Sequence, residues 1–332
     1  MLFAQSLDNH KPAIVNRFKF LHEPNPPFMD DAIMMNFNTM DTTPSAMETI
    51  TRRFSCRTYI DKPIPVKKTT MLEKFISENK MGPFNTTPKF QLIAAGAKDH
   101  ETLKGLGTYG FIRGASGFII GSAVKNLDYN LEDYGYVMER IILFATSIGL
   151  GTCWLGGSFN KSTFAKKILA KQEEFVPAVA AIGHIASKKR LFDKVIRWSA
   201  KATKRKHWKR LFFQETFDHA LLPETIGSFS VPLDMVRLAP SASNRQPWRI
   251  VKGKDRNVFH FFLQRTKGYY EKNKKMFKMA DLQRVDMGIA MCHFDLTCNE
   301  LGIKGKWIVE KPEINNLPEL TNHLITWSES TK

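Results

Sequence analysis

Arg53, Ser55 and Arg57 occupy alternate positions in the segment Arg53-Phe54-Ser55-Cys56-Arg57-Thr58-Tyr59. An extended backbone would point all three side chains one way, because side chains alternate across a strand. Two guanidinium forks flanking a hydroxyl suit the oxygens of a phosphomonoester, which accept charge-assisted hydrogen bonds. A second stretch, Ala239-Pro240-Ser241-Ala242-Ser243-Asn244-Arg245-Gln246-Pro247-Trp248, is turn-rich. It offers hydroxyls, a side-chain amide and free backbone N–H groups just before an apolar strand. Each piece also has a plainer reading. Arg53 and Arg57 would suit a surface strand with ion pairs, Ser241 to Asn244 a turn and helix cap, and Trp248 the core.

The elements that must position these residues carry an internal duplication. Asp133-Tyr134-Gly135-Tyr136-Val137-Met138 opens an apolar-periodic run to Gly149, and Asp286-Met287-Gly288-Ile289-Ala290-Met291 opens a similar run to Gly302. The offset is 153 residues at the Asp, the first Gly, the Met and the last Gly alike. Each copy reads as one helix closed by a glycine cap. A second pair aligns at an offset of 159: Gly82-Pro83-Phe84-Asn85-Thr86-Thr87-Pro88 resembles a shortened Pro240–Pro247, with Asn85 matching Asn244. Strand-like runs follow both, Phe90–Ala94 and Trp248–Val251, and two matches in the same order favour duplication over chance. Further strands are expected at Gly117–Ser122, Val179–Gly183 and Val258–Leu263. The fold class is therefore α+β, helices packed about a mixed sheet. The division predicted is a Pro- and Met-rich, partly disordered lead-in (1–44), a first repeat (45–190), a basic connector (191–224) and a second repeat (225–332).

Composition bounds the function classes. The 332 residues, 43% hydrophobic and 24% charged, describe a globular chain with ample core. The longest apolar runs, Phe118–Val124 and Phe175–Ala186, are too short to span a bilayer, and the N-terminus lacks the apolar core of a secretory signal. Cys56, Cys153, Cys292 and Cys298 have no metal-site spacing, so buried free thiols in a reducing cytoplasm are expected. The formal charge is +17, and Lys188–Arg210 holds eleven Lys/Arg against Asp193 alone. That stretch suits a phosphate-binding arm or a solvated basic face. No zinc-finger, RNA-recognition or helix-turn-helix signature accompanies it, which leaves nucleic acid a minor reading. Gly105-Leu106-Gly107-Thr108-Tyr109-Gly110 has dinucleotide-loop spacing but lies between a helical pattern and a strand, the reverse of the required order, and is read as a turn.

Taken together, the Arg-x-Ser-x-Arg and Pro-Ser-x-x-Asn-x-Gln-Pro-Trp segments resemble the flavin-dependent nitroreductase family, and the likeness covers roughly residues 45–310. The family implies an FMN site at a subunit interface, and its internally duplicated branch implies a fused pseudo-dimer that works as a monomer. On that resemblance Arg53, Ser55 and Arg57 would hold the FMN phosphate with a late basic pair, Lys204 and Arg205; His207 stands where the family usually has proline. Gly149-Leu150-Gly151-Thr152-Cys153-Trp154-Leu155-Gly156-Gly157 would be the flavin-edge loop, with an N–H of Gly156 or Gly157 reaching N5. Pro240, Ser241, Ser243 and Asn244 would close the site from the second repeat. The mirror-image site lacks its Arg-x-Ser-x-Arg, its paired serines and its Gly-Gly, so one FMN per chain is expected. NADH or NADPH and a small-molecule electron acceptor would share one pocket in ping-pong fashion, with no side chain required as a catalyst. No Ser-His-Asp set, metal-ligand cluster or Walker loop competes. Two other readings stand beside this one: a non-catalytic flavin- or nucleotide-binding protein, and a basic adaptor on an inactive scaffold.

Overall fold

Two long helices cross, and glycine makes the crossing close. The computed structural model describes residues 45–94, 111–157, 159–186, 204–254, 257–269 and 279–330. The lead-in, the Gly105–Gly110 segment and most of the basic stretch fall outside these residues. The described helices are α1 (Ala46–Arg52), α2 (Val66–Glu78), α3 (Asn130–Ser147), α4 (Lys161–Lys167), α5 (Ser230–Leu238) and α6 (Leu282–Glu300). α3 and α6 are the two runs whose Asp, Gly and Met markers align at an offset of 153. Each ends at a glycine in the left-handed region, Gly149 (φ 76°) and Gly302 (φ 71°). The next amide reaches back in both: Leu150 N–H to the Ala145 carbonyl and Ile303 N–H to the Cys298 carbonyl, each 2.9 Å. Glycine suits this cap because it has no Cβ to oppose positive φ.

A Cβ on Gly135 of α3 would overlap the Val285 carbonyl of α6, and one on Gly288 would overlap the Glu132 carbonyl of α3. A shift of 153 positions turns the first contact into the second. Such reciprocal contacts are what a two-fold axis generates. Arg284 of α6 clamps the crossing with a bidentate pair to the buried Glu132 of α3, at 2.7 and 2.6 Å. Ser45 caps α1 by accepting the Glu48 N–H (3.2 Å), and the Met47 N–H donates to Glu300 at the far end of α6.

The strands are β1 (Tyr59–Ile60), β2 (Lys89–Ala94), β3 (Gly117–Val124), β4 (Gly151–Leu155), β5 (Glu174–Phe175), β6 (Val179–Ile185), β7 (Phe212–Gln214), β8 (Trp248–Lys252), β9 (Val258–Gln264), β10 (Gly305–Ile308) and β11 (Thr321–Glu329). In one sheet β2, β3, β6 and β4 are successive antiparallel neighbours; in the other β8, β9, β11 and β10 repeat that order. β7, which the sequence assigns to the connector, adds a parallel edge to β8, with Phe212 opposite Ile250. Among the described residues β2 has no corresponding neighbour. One hydrophobic core runs through both halves, from Ile119 and Tyr134 to Trp248, Phe259, Phe294 and Trp327, all buried. At about 1.5–3 kcal/mol per fully buried large side chain, this continuity binds the two sheets into one folding unit. All four cysteines are buried and unbridged. No described helix is long and apolar enough to cross a membrane.

Candidate functional site

A cavity of about 210 Å³ lies where the two halves meet. Ser55 and Arg57 enter it from the segment after α1, and Trp154, Gly156 and Gly157 from β4 and the turn that follows. The second half supplies Pro240, Ser241, Ser243, Tyr269, Met279, Leu282 and Asp286. The structure thus brings seven of the expected residues to one cavity: Ser55, Arg57, Gly156, Gly157, Pro240, Ser241 and Ser243. Ser55 is placed by a bridge to Thr152 and by the Cys56 N–H, which donates to the Thr152 carbonyl at 2.8 Å. The glycine pair is packed from above. A Cβ on Gly157 would stand 2.7 Å from the Met279 thioether, and one on Gly156 would overlap Leu282. A larger cavity, about 800 Å³, lies between α2 and β2 and contains none of the expected residues; volume alone does not select a site.

Arg53, Lys204, Arg205 and Asn244 lie outside that lining. The expected alternation therefore holds for Ser55 and Arg57 but not for Arg53. Arg53 follows the last residue of α1, and its side chain turns inward, its Nε 3.7 Å from the Glu139 carboxylate of α3. Glu139 is fully buried and also accepts from the Trp154 indole (2.7 Å) and meets His293 Nε2 of α6 (3.0 Å). His293 Nδ1 in turn meets the Met235 carbonyl at 2.9 Å. A buried charge persists only with such partners. This network is absent from the sequence reading; a Glu inside an apolar helical run was its one visible signal.

The Asn244 amide also faces elsewhere than expected. Its Nδ2 donates to the Lys204 carbonyl (2.8 Å), and its Oδ1 accepts from Arg205 Nη1 (3.4 Å) and Gln246 Nε2 (3.0 Å). Lys204 itself is exposed. Arg205 donates to the Leu238 carbonyl as well (3.1 Å). Burial, then the neighbouring Arg53 and Arg237 guanidiniums, lower its pKa to about 10. Arg53 and Arg205, far apart in sequence, thus stand close enough to repel. Gln246 organises the loop: its amide N–H donates to Ser241 Oγ (2.9 Å) and its Oε1 accepts the Lys206 N–H (2.8 Å). These bonds hold Ser243, Asn244 and Gln246 at φ of 49°, 52° and 48°, a region costly for residues with a Cβ. Lys206 Nζ and Arg249 Nη1 share the Gln246 carbonyl, at 3.1 and 3.0 Å. Burial, then Arg249, Arg210 and Arg245, lower the Lys206 pKa to about 7.

Comparison with known proteins identifies the family. Residues 45–298 match the family described as "Putative TM nitroreductase". The chain belongs to this family. Its fold is similar to that of a putative nitroreductase from Thermotoga maritima, at TM-score 0.54 and 20% identity over 88% of this chain and 97% of the other. An FMN-dependent nitroreductase from Clostridium difficile is 18% identical, with TM-score 0.36 over 48% of this chain and 98% of the other. A search of curated sequences finds no match.

Proposed function

We propose that this nitroreductase-family protein is an FMN-dependent NAD(P)H oxidoreductase that reduces a nitroaromatic, quinone or similar small acceptor. The reading is carried by one observation: Ser55, Arg57 and the Gly156-Gly157 pair meet Pro240, Ser241 and Ser243 around a single cavity. When bound, FMN would supply the hydride chemistry, taking electrons from NADH or NADPH and passing them to the acceptor in ping-pong fashion.

The residues present suit that cofactor. Arg57 enters the cavity, and Arg53 and Arg205 would add positive charge behind it, which favours a phosphate there. Arg57 and the serine hydroxyls would donate to ligand oxygens, and Gly156 and Gly157 allow a flat ring to approach the backbone. The cavity is smaller than the roughly 300–1,000 Å³ of ordinary ligand pockets. Met279 and Leu282, which pack on the glycine pair, would therefore withdraw as the ring enters. Asn244 would act through Arg205, and Lys204 would lend charge from the surface.

The two halves would be a duplicated, fused pair, with both parts of the site in one chain. A monomer then suffices, because fusion makes the docking of the second half intramolecular. One FMN per chain is expected, in a protein of the cytoplasm. The test is spectroscopic: purified protein saturated with FMN should carry about one flavin per polypeptide at dilutions where only monomer scatters, and NADH or NADPH should bleach it without oxygen. Bound flavin that neither nucleotide reduces would replace the enzyme by a flavin-binding protein. No flavin binding at all would end the reading.

A further inference from the structure

Asp286 of α6 is 2% exposed and lines the candidate cavity. Its Oδ1 accepts the Ala242 N–H at 2.9 Å, while its buried Oδ2 has no hydrogen-bond partner among the described residues. The matching residue 153 positions earlier differs. Asp133 uses both oxygens, accepting from the Phe84 N–H (3.0 Å) and the Thr86 N–H (2.8 Å). In the second half the counterpart of the Thr86 N–H, that of Arg245 159 positions on, donates instead to the Ala242 carbonyl (3.1 Å). One carboxyl oxygen of this cavity-lining residue is thereby left without a partner among the described residues. A buried polar atom without a partner is costly, and ligand sites are where such atoms persist.

The charges around Asp286 argue that it holds a proton. Asp281, ahead of it on the same chain, is paired with Arg265 at 2.6 Å, and Arg284 is committed to Glu132 of α3. Arg57, which lines the same cavity from the first half, donates to the Ser55 carbonyl (3.5 Å). Tyr269 bonds to Ser243 (3.1 Å), and the 240–244 loop adds no titratable group. No described cation pairs with Asp286. Burial, then Asp281, push its carboxyl well above the usual range, against the opposing pull of the Ala242 N–H.

We propose that Asp286 is a ligand contact of the cavity, a neutral carboxylic acid whose Oδ2–H donates a hydrogen bond to a carbonyl oxygen of the bound flavin. The proposal rests on the FMN reading above and adds a residue to it. The ring edge presented to Asp286 would be an acceptor, in keeping with the donors Arg57, Ser55 and Ser241 around it.

FMN affinity, measured by fluorescence quenching across pH on folded wild type, D286N and D286A, tests this. D286N keeps a donor and an acceptor without a titrating proton. Its affinity should match wild type within about threefold at acid pH and stay flat, while wild type weakens as pH rises through the ionisation of Asp286. D286A should bind about tenfold more weakly, one lost hydrogen bond. Infrared difference spectra should show a protonated-carboxyl C=O band that shifts when FMN binds wild type and is missing from D286N. Identical pH profiles for wild type and D286N, or a flat wild type with weakened D286N, overturn the proposal and leave the FMN reading intact. If wild type binds no FMN, both fall.

Discussion

The loops before β2 and β8 follow one path and do different work. Asn85 and Thr87 hold φ of 58° and 43°, and Asn244 and Gln246, 159 residues later, hold 52° and 48°. An aspartate on the adjoining long helix tethers each loop by its backbone amides. The first tether is closed: Phe84 and Thr86 occupy Asp133 completely, and Gly82 presses against it so closely that a Cβ would overlap the carboxyl. The second is half open, with Ser243 in place of Phe84 and a buried carboxyl oxygen of a cavity-lining residue that has no partner among the described residues. The contrast teaches that similar loops on similar helices can differ in function: one fills structure, and the other leaves polar atoms unused. The helix crossing is symmetric at Gly135 and Gly288, where each glycine meets a backbone carbonyl and no side-chain change could relieve a misfit.

The largest expected effect tests that symmetry. Gly135→Ala and Gly288→Ala should each cost about 3 kcal/mol or more, the upper range for overpacking, because the clash is with a carbonyl that cannot rotate away. Chemical denaturation should give similar losses for both; a large loss at only one would break the two-fold description.

The next asymmetry is charge. Position 139 holds Glu and its counterpart, 153 residues on, is Cys292. Glu139→Ala should destabilise by about 3 kcal/mol, since His293 and the Trp154 indole lose their buried partner. Cys292→Ala, which removes only a buried thiol, should cost closer to about 1 kcal/mol. Equal losses would deny the network its role.

The tethers themselves come third. Asp133→Asn replaces one of two accepting oxygens with an amide that faces a backbone N–H, and should cost about 1–2 kcal/mol. Asp286→Asn keeps the one oxygen in use and should be nearly neutral in acid. The folded pKa of Asp286 lies above its unfolded value of 3.8. Its contribution is therefore whole below that value and is lost as pH rises through the folded pKa. Thermal unfolding of wild type should fall relative to D286N as pH climbs from the acid range. A constant gap between the two would contradict a buried, titrating Asp286.

The smallest effect belongs to Lys206, whose folded pKa of about 7 lies below the ordinary 10.5. The folded protein binds fewer protons than the unfolded chain across that window, so stability should rise with pH between the two values. Lys206→Met should flatten the rise. An unchanged slope would place the source of the pH dependence elsewhere.

The sequence alone determined the two long helices with their glycine stops, strands β2, β3, β6, β8 and β9, the repeat offset and the residue types of the candidate site. Those signals are local: periodicity, caps and turn chemistry act within a few residues. Where a side chain points once distant segments meet is not local. Arg53 turns from its alternating partners because Glu139 lies beneath it, and no pattern within Arg53–Arg57 encodes that carboxylate. The Asn244 amide turns to Lys204 and Arg205, and β7 leaves the connector for β8, through hydrogen bonds between residues dozens of positions apart. Asp286 was visible as a repeat marker but not as a cavity residue. Its sequence surroundings resemble those of Asp133, and the path of one amide, from Arg245 to Ala242 instead of to the carboxyl, leaves its second oxygen without a partner among the described residues.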